Sequence, residues 1–548
     1  MDSLVHSLSE LIEGQVAWDE TTLTVASRDT SLFCVRPAVV VYPKHEADVC
    51  ALVKFVSAAK KRGEQISLTA RAAGTCMTGG PLTTSIVVDF TKYFTYITPP
   101  NAGSAEMSAE PGVFYRDFEK ISLAHNLLLP SFPASRDLCA IGGMVSNNSG
   151  GEKTLRYGKT EKYVRVLRVV FADGIARDVT ALSAEALNKK CDQKDFEGEI
   201  YRTIVPLIKS HADFLKSHHP QVTKNSAGYA LWNVWDAATE TFDITKIFVG
   251  AQGTLGLITK ATFALITPKK FSRSVVIFLK SHAALTTVVP ALLKLDPETC
   301  ESFDDHTFRV ALRVFPKLIS HMNGNLLSLG FKFLPEFWML ITGGVPKMII
   351  IADFTGDTEK EALVAAENAA QIISLQGHKT HVARTEAEAE KYWIMRRESF
   401  NLLRHHMKGL RTAPFIDDLI VPPNTLSEFL PELYKMLDAS GMLYTVAGHV
   451  GDGNFHIIPL VNPTEPQLIK NVEELMTKVF DLILRMGGSF TAEHNDGMIR
   501  TPFLKKLYGA DMYDLFVQTK TIFDPQNIFN PGKKIGGSWE TAKKYFDL

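Results

Sequence analysis

Two histidines flank a short turn in the stretch GHVGDGNFH, which runs from residue 448 to 456. The Asp452–Gly453 pair is typical of a two-residue hairpin turn, which would place His449 directly opposite His456. Side chains opposed in this way share one face of the hairpin, with Cβ atoms about 4.5–5.5 Å apart. Two imidazoles at that separation could bind one metal ion. The alternative is a turn held only by hydrogen bonds, in which neither histidine has a ligand.

A metal site would need a third ligand, because catalytic divalent metals use about three protein groups and keep one position open. The stretch GGSFTAEHNDGMIR offers Glu493, with His494 next to it. A carboxylate with two imidazoles suits Zn, Mn or Fe, and these residue types do not choose among them. Taken alone, the Glu493–His494 pair is also typical of an ordinary polar loop.

Three glycine clusters lie in the first half of the chain: RAAGTCMTGG at 71–80, AIGGMVSNNSGG at 140–151 and GAQGTLG at 250–256. Glycine lets the backbone approach a ligand closely and adopt positive φ, and consecutive amides in such loops bind anions. Three loops of this kind in one domain indicate a long polyanionic ligand such as a dinucleotide. None is a G-x-G-x-x-G run that opens a helix, so a Rossmann site is not supported.

The composition favours a globular protein that acts on a small molecule. The 548 residues carry 59 basic and 60 acidic side chains, so no charged face indicates nucleic acid as a partner. The six cysteines form no C-x-x-C pair, which argues against an iron–sulfur cluster and suits a reducing, cytoplasmic compartment. No segment approaches the ~20 apolar residues of a membrane span. The nearest, 333–351, favours a buried strand, with peripheral membrane contact as the alternative.

The order of predicted elements indicates an α+β fold with more than one domain. Strands are predicted within 36–94, around an amphipathic helix at 45–63, and again at 166–172 and 246–251. After about 268, strands such as SVVIFL, MIIIADFTG and YTVAGHV alternate with long helices. The prediction is a helical extension over 1–35, a ligand-binding domain over 36–267 and a substrate- and metal-binding α+β domain over 268–548, whose antiparallel sheet is covered by helices.

The first large domain resembles the flavin-binding domain of the vanillyl-alcohol oxidase and p-cresol methylhydroxylase superfamily. The resemblance runs from Pro37 to Ala264, through RPAVVVYPKHEADV and the three glycine clusters. It implies a two-part FAD-binding domain of the p-cresol methylhydroxylase type over 36–267. It also implies non-covalent FAD, because Thr75 stands where covalent members often carry a histidine. Gln252 departs from the glutamate that relatives usually have. The residues that the resemblance assigns to FAD are Arg71, Gly74, Thr75, Gly79, Gly142, Gly143, Asn147, Gly150, Gly253 and Ile258.

The second large domain resembles the FAD-linked D-2-hydroxyacid dehydrogenases, which include D-lactate dehydrogenase, D-2-hydroxyglutarate dehydrogenase and the glycolate oxidase flavin subunit. GHVGDGNFH, TAEHNDG and FDPQNIFNPGK occur in that order, within a match over about 270–537. The resemblance implies that His449, His456 and Glu493 bind one divalent metal, zinc being favoured over Mn or Fe, and that His494 is the general base. The W-x-x-R pattern of KYWIMRRESF aligns Arg396 with the arginine that binds the substrate carboxylate; the alternative is a solvated arginine on a helix face.

These residue types suit the oxidation of R–CH(OH)–COO⁻ to a 2-oxo acid. A divalent metal bound to the hydroxyl lowers its pKa, and a histidine can accept the proton near neutral pH. An arginine can hold a carboxylate through two parallel hydrogen bonds. The flavin takes the hydride, which protein side chains cannot do. Each of the assigned residues therefore has a separate task.

The substrate prediction depends on the distal end of the acid. Relatives that prefer 2-hydroxyglutarate hold its second carboxylate with polar or cationic side chains, at places that correspond to Phe400 and Ile416 here. An apolar wall would leave that carboxylate buried without a partner, so D-lactate is favoured, with 2-hydroxyglutarate and glycolate as alternatives. If Arg397, Arg404 or Arg500 reached the site, it would supply the missing positive charge for a second carboxylate and favour 2-hydroxyglutarate instead. The sequence has no cysteine-rich iron–sulfur region, so the electrons are expected to leave to a quinone or a redox protein.

Two other functions are compatible with the same motifs. An alkyl-dihydroxyacetonephosphate synthase would use FAD for a non-redox transfer, and a 2-hydroxy acid would not bleach its flavin. A non-enzymatic binding protein would keep FAD or metal for structure alone. In that case Glu493→Gln and His494→Ala would alter stability but abolish no turnover.

Overall fold

The chain folds into two α+β domains with a long cavity between them. The computed structural model describes residues 2–307, 345–406 and 409–547. Of the apolar stretch 333–351, only 345–351 falls within these ranges, and residues from 348 onward form a buried strand. The predicted α+β class is confirmed.

A four-stranded sheet opens the first domain. Its strands, in spatial order, are Gln15–Ala17, Val39–Tyr42, Ile86–Asp89 and Leu68–Arg71. The last three are parallel, and Gln15–Ala17 pairs antiparallel at the edge. Valine-rich strands of this kind need cover on both faces. The helix Glu46–Lys61 provides it on one face, with buried apolar residues three and four positions apart.

A five-stranded antiparallel sheet forms the other half of this domain. Its strands, in spatial order, are Ile97–Thr98, Glu106–Ala109, Leu257–Ala264, Val164–Val170 and Ala176–Thr180. The helices that accompany it are Tyr115–Ala124, Ile141–Asn147, Thr154–Tyr157, Ala184–Asp192, Phe196–Ser210, Ala212–His218 and Thr245–Phe248. The predicted strand at 246–251 is wrong, because Ile247 and Phe248 enter the core from one helical turn. That choice depends on tertiary contacts such as the stacking of Phe248 on Phe171.

A larger antiparallel sheet is the frame of the second domain. Its strands, in spatial order, are Lys379–Ala383, Phe271–Leu279, Met348–Gly356, Thr299–Asp304, Leu443–His449, Asn454–Val461 and Arg411–Thr412, with Leu419–Ile420 also paired to Asn454–Val461. One face is covered by the helices Leu285–Leu293, Glu359–Leu375, Leu426–Ser440 and Leu468–Arg485. The opposite face packs against Glu386–His406 through Tyr392 and Trp393 and turns the rest of its surface toward the first domain.

The two ends of the chain both return to the first domain. The helix Leu504–Phe523 inserts Tyr508, Met512 and Phe516 into the core of the five-stranded half. Ile528 and Phe529 then complete the core of the parallel sheet, where the N–H of Leu68 donates to Ile528 O at 2.8 Å. At the other end, the helices Asp2–Leu11 and Glu20–Ala26 flank the edge strand already described. The segment 1–35 is therefore part of the first domain's sheet and is not only helical.

All six cysteines are free thiols. Among the helices that the structure describes, none combines the length and apolar character needed to cross a membrane.

Candidate active site

A cavity of about 1120 Å³ lies between the domains and is lined by all three glycine loops. The sheet of the second domain closes one end of it. The side chains that the paired strands Leu443–His449 and Asn454–Val461 turn toward it are Thr445, Ala447, His449, His456 and Ile458. The volume exceeds the roughly 300–1,000 Å³ of most small-molecule pockets, so a dinucleotide and a small substrate can be held together.

The glycine loops form a cradle along this cavity. Gly74 and Gly253 have positive φ, 70° and 65°, which favours glycine at both positions. A Cβ built on Gly143 would meet only Ala72, at 4.0 Å, so this backbone borders open space. The residues expected to hold FAD that do line the cavity are Arg71, Gly74, Thr75, Gly142, Gly143, Asn147, Gly150, Gly253 and Ile258. This lining fits the flavin dinucleotide that the resemblance implies.

Gly79 and Gln252 make hydrogen bonds that hold the glycine loops in place. Gly79 lies outside the cavity lining, and its N–H donates to Asp29 Oδ2 at 3.1 Å. The Gln252 side chain donates from Nε2 to Asn147 Oδ1 at 3.2 Å and accepts at Oε1 from the N–H of Gly497 at 2.8 Å. Gln252 thereby links two of the glycine loops, as donor to Asn147, and also accepts from Gly497.

The hairpin that carries the two histidines differs from the predicted two-residue turn. The register pairs His449 with Asn454 and Ala447 with His456, so residues 450–453 form the loop. The predicted opposition of the two histidines is therefore wrong by two positions. A shift of two keeps both side chains on the same face, because alternate residues of a strand share a face. They are diagonal neighbours with ring centroids 5.3 Å apart.

Glu301 lies between His449 and Arg396. It belongs to the strand Thr299–Asp304, and its side chain is 1% exposed. His449 Nδ1 donates to Glu301 Oε1 at 2.5 Å, and Arg396 Nη2 pairs with Oε2. Arg396 lines the cavity with only 9% of its side chain exposed, so it is not a solvated arginine on a helix face.

Asp417 occupies a similar position between His456 and His494. Its side chain is 1% exposed. Its Oδ1 lies 3.1 Å from His456 Nδ1, and its Oδ2 lies 2.8 Å from His494 Nδ1. The two imidazoles stack with ring centroids 5.0 Å apart. Asp417 therefore bridges one predicted metal ligand and the predicted base.

Glu493 meets a cation from the first domain. Lys224 Nζ lies 2.6 Å from Glu493 Oε1 and 3.1 Å from Asp452 Oδ2, and the Lys224 side chain is completely buried. His449 Nε2 lies 3.4 Å from the same oxygen of Glu493. The loop that presents Glu493 is fixed by Asp418, whose Oδ2 accepts from the N–H groups of Glu493 at 2.9 Å and His494 at 2.7 Å.

The pKa values of these groups reflect their burial and their partners. Burial alone would raise the pKa of Asp417, but His494 beside it holds that pKa well below its usual range. Burial alone would lower the pKa of His494, yet Asp418 and Asp417 raise it to about 9. Burial also lowers the pKa of His449, but Glu301 raises it, and the result is a pKa of about 9. Lys224 opposes this rise at His449. The raised pKa values favour the protonated imidazoles, so metal binding would release protons.

The donor set fits a divalent metal. Ligand atoms of Asp418, His456, Glu493 and His494 lie within 4.8 Å of one another, and His449 reaches the same carboxylate. Imidazole and carboxylate donors suit Zn, Mn or Fe. Both Asp418 oxygens already accept hydrogen bonds from the protein. We therefore keep His449, His456 and Glu493 as the predicted ligands.

Four buried charged residues of this site escaped the sequence analysis. They are Lys224, Glu301, Asp417 and Asp418. Glu301 did leave a signal, since it interrupts a strand buried at every position. The adjacent acids of FIDDLIVP, just before the strand Leu419–Ile420, are a second signal. Lys224 lies in an irregular loop and gives none.

Comparison with known families assigns both domains. Residues 37–180 match the FAD binding domain, and residues 268–534 match the C-terminal domain of FAD linked oxidases. The chain is 26% identical over 547 residues to D-2-hydroxyglutarate dehydrogenase of Escherichia coli (strain K12), covering 97% of this chain and 52% of that protein. It is 25% identical over 540 residues to D-lactate dehydrogenase of Archaeoglobus fulgidus, covering 97% of this chain and 99% of that protein. The chain thus spans about half the length of the D-2-hydroxyglutarate dehydrogenases it matches.

Solved structures share the fold. The crystal structure of p-cresol methylhydroxylase with substrate bound superposes with a TM-score of 0.69 at 15% identity, over 98% of this chain and 97% of that one. At that identity the match shows a common fold. The two-part first domain and the helix-covered antiparallel sheet of the second are confirmed by it.

Proposed function

We propose that this chain oxidises a D-2-hydroxy acid to the 2-oxo acid, with non-covalent FAD and one divalent metal. Its residues 37–180 match the FAD binding domain and its residues 268–534 match the C-terminal domain of FAD linked oxidases. One observation carries the proposal. Five side chains of the second domain meet at one end of the glycine-lined cavity: Arg396, His449, His456, Glu493 and His494. They supply a carboxylate-binding cation, a metal-ligand set and a proton acceptor, which this oxidation requires.

Each residue has a distinct part in the reaction. Arg396 binds the substrate carboxylate, and His449, His456 and Glu493 hold the ion. When bound, the flavin accepts the hydride, and the divalent ion lowers the pKa of the substrate hydroxyl and of the neighbouring imidazole. His494 keeps its Nδ1 against Asp417. Its Nε2 then accepts the hydroxyl proton.

Two of the side chains that bear on substrate choice are directed away from the site. Ile416 is fully buried in the helix-covered core and does not line the cavity, so the expected apolar wall is not formed by this residue. Arg500 is 1% exposed, and its guanidinium donates to the main-chain oxygens of Asn495 and Asp417. Arg500 therefore supplies no charge for a second carboxylate.

Two cations that line the cavity near its second-domain end, Arg397 and Arg411, already have acidic partners. Arg397 lies 3.0 Å from Glu152, and Arg411 lies 3.6 Å from Asp547. Arg396 is itself paired with Glu301 and serves the first carboxylate of either acid; a diacid would have to displace one of these further carboxylates as well, whereas D-lactate would not. We therefore favour D-lactate over 2-hydroxyglutarate and glycolate, and a relative of which 99% is covered is named D-lactate dehydrogenase. The side chains of Phe400 and Arg404 lie outside the described part of the structure.

Anaerobic mixing of the yellow protein with a panel of D- and L-2-hydroxy acids tests the proposal. We expect D-lactate to bleach the flavin rapidly, a chelator to abolish the bleaching and a divalent ion to restore it. Faster bleaching by D-2-hydroxyglutarate would refute the substrate preference alone. A flavin that stays oxidised with every acid would refute the oxidation and favour the non-redox transferase.

The electron acceptor forms a separate part of the proposal. We propose that reduced flavin passes its electrons to a quinone or to a redox protein and reacts only slowly with oxygen. Reoxidation of the bleached protein by a soluble quinone analogue, followed beside reoxidation by air, measures this. Equal rates for the two acceptors would refute it.

A further inference from the structure

Glu301 and Asp417 occupy matching places behind the proposed active site. Each is a carboxylate with 1% of its side chain exposed, on the cavity side of the second domain's sheet. Each uses its two oxygens on two different partners. Glu301 meets His449 and Arg396, and Asp417 meets His456 and His494.

Glu301 contacts one imidazole and Asp417 contacts two, and each of the three contacts is to the Nδ1 atom of the ring. The distances are 2.5 Å for His449, 3.1 Å for His456 and 2.8 Å for His494. A carboxylate is an acceptor, so it favours a proton on Nδ1 and leaves Nε2 as the ring nitrogen for metal or substrate. The contacts of His449 and His456 have hydrogen-bond geometry, and that of His494 is an ion-pair contact. For His449 that nitrogen already lies near Glu493, at 3.4 Å.

Each carboxylate contacts two residues that have different proposed roles in the reaction. Glu301 joins a proposed ligand, His449, to the residue proposed to bind the substrate carboxylate, Arg396. Asp417 joins a proposed ligand, His456, to the proposed base, His494. We propose that Glu301 and Asp417 are positioning residues that couple metal binding to the placement of these two groups. The inference rests on the proposed function and assigns to that site two residues that act through the neighbouring histidines and Arg396.

Replacing each carboxylate by its amide tests the coupling. Glu301→Gln and Asp417→Asn keep the shape but remove the negative charge and leave one acceptor oxygen, so only one of the two partners still faces an acceptor. In the FAD-loaded protein, both changes should weaken the binding of Co²⁺ or Zn²⁺ by roughly 10–100-fold, measured by competition with a chelator.

Glu298→Gln is the matched control. Glu298 immediately precedes the strand that carries Glu301, is similarly buried, and pairs with Lys153 at 2.8 Å and Tyr157 at 2.9 Å, away from the histidines. It should bind the metal with the affinity of the unchanged protein. Metal affinities of Glu301→Gln and Asp417→Asn that match this control would overturn the inference.

A second measurement separates the two tasks at saturating metal. Asp417→Asn should lower the limiting rate of flavin reduction, because the base loses its orientation. Glu301→Gln should instead raise the acid concentration needed for half the maximal rate, because Arg396 loses its support. A general loss of structure would lower the limiting rate and raise the half-saturating acid concentration in both variants, and that pattern would overturn the inference.

Conservative changes cover the case in which the amide variants do not fold. Glu301→Asp and Asp417→Glu keep the charge and move the oxygens by one methylene group, so their metal affinity should fall by about tenfold, less than for the amides. Unchanged affinity in both would overturn the coupling. If the unchanged protein binds no metal or is bleached by no acid, the proposed function itself fails. If it does both and the variants match the control, only this inference fails.

Discussion

Removing the ammonium of Lys224 should destabilise the metal-free protein far more than the metal-loaded one. Lys224 Nζ contacts Glu493 at 2.6 Å and Asp452 at 3.1 Å in a site without solvent exposure. At an effective dielectric constant of about 20, these contacts amount to roughly 6 and 5 kcal/mol before the cost of burying the ammonium is subtracted. Net losses on breaking a buried pair are about 3–5 kcal/mol, which is what we expect for Lys224→Met with a chelator present.

A divalent ion bound by Glu493 supplies the missing positive charge. The destabilisation of Lys224→Met should therefore shrink when metal is added, and the difference must reappear as tighter metal binding, because the two equilibria are linked. Each 1.4 kcal/mol of recovered stability corresponds to about tenfold in the metal dissociation constant. Urea unfolding with chelator and with saturating Zn²⁺, together with a metal titration of the folded protein, measures both sides of the cycle.

Lys520→Met is the control for the loss of a buried ammonium. Lys520 pairs with Asp524 and donates to the main-chain oxygens of Thr254 and Phe529, outside the cavity. Lys520→Met should lower the free energy of unfolding by the same amount with and without metal. An equal loss under both conditions for Lys224→Met, or weaker metal binding, would show that Lys224 does not share Glu493 with an ion.

Three further predictions concern the base, a ligand and a buried acid. His494→Ala should keep FAD and metal but slow flavin reduction by roughly 10²–10⁴-fold in stopped-flow absorbance, and a rate near that of the unchanged protein would remove His494 from the mechanism. His449→Ala should lose the metal, which elemental analysis of the purified protein detects; full metal content would contradict its role as a ligand. Burial, with Glu152 and Glu298 nearby, raises the pKa of Asp353 to about 6, so the folded state holds that proton more tightly and stability falls as the pH rises from about 4 to 6. Asp353→Asn should therefore raise the free energy of unfolding by about 1–3 kcal/mol at pH 8 and not at pH 4, and a gain independent of pH in urea titrations would contradict this.

Hydrophobic patterning was sufficient for most of the elements. The valine-rich strand Val39–Tyr42 and the amphipathic helix Glu46–Lys61 lie where they were predicted, because their periods of two and about 3.6 residues match their burial. The strand predicted at 246–251 was wrong because a short apolar run has no clear period. Only its packing against Phe171 and neighbouring residues determines that it is a helical turn.

Local turn chemistry was insufficient for the histidine hairpin. Asp452–Gly453 favours a two-residue turn, but the Asp452 carboxylate pairs with Lys224 from the other domain. Asn454 donates to Asp418 at 3.2 Å, which holds the residue after the turn in the strand. Contacts with residues far apart in sequence therefore set the register. The two bridging carboxylates could not be predicted from the sequence for the same reason. Glu301, for example, is separated from its partner His449 by 148 positions.

The return of the helix Leu504–Phe523 to the first domain has a consequence for how the protein is made. The first domain's strands leave the ribosome early, yet part of its core is the last long helix of the described chain. At about 5–20 residues per second, the interval between Leu257–Ala264, the last strand of the five-stranded half, and the helix takes roughly 12–48 s to synthesise. Throughout that time the apolar groove that the helix will fill stays exposed to chaperones, and the flavin cradle lacks its support. We therefore expect the cofactor to bind among the final events of biosynthesis.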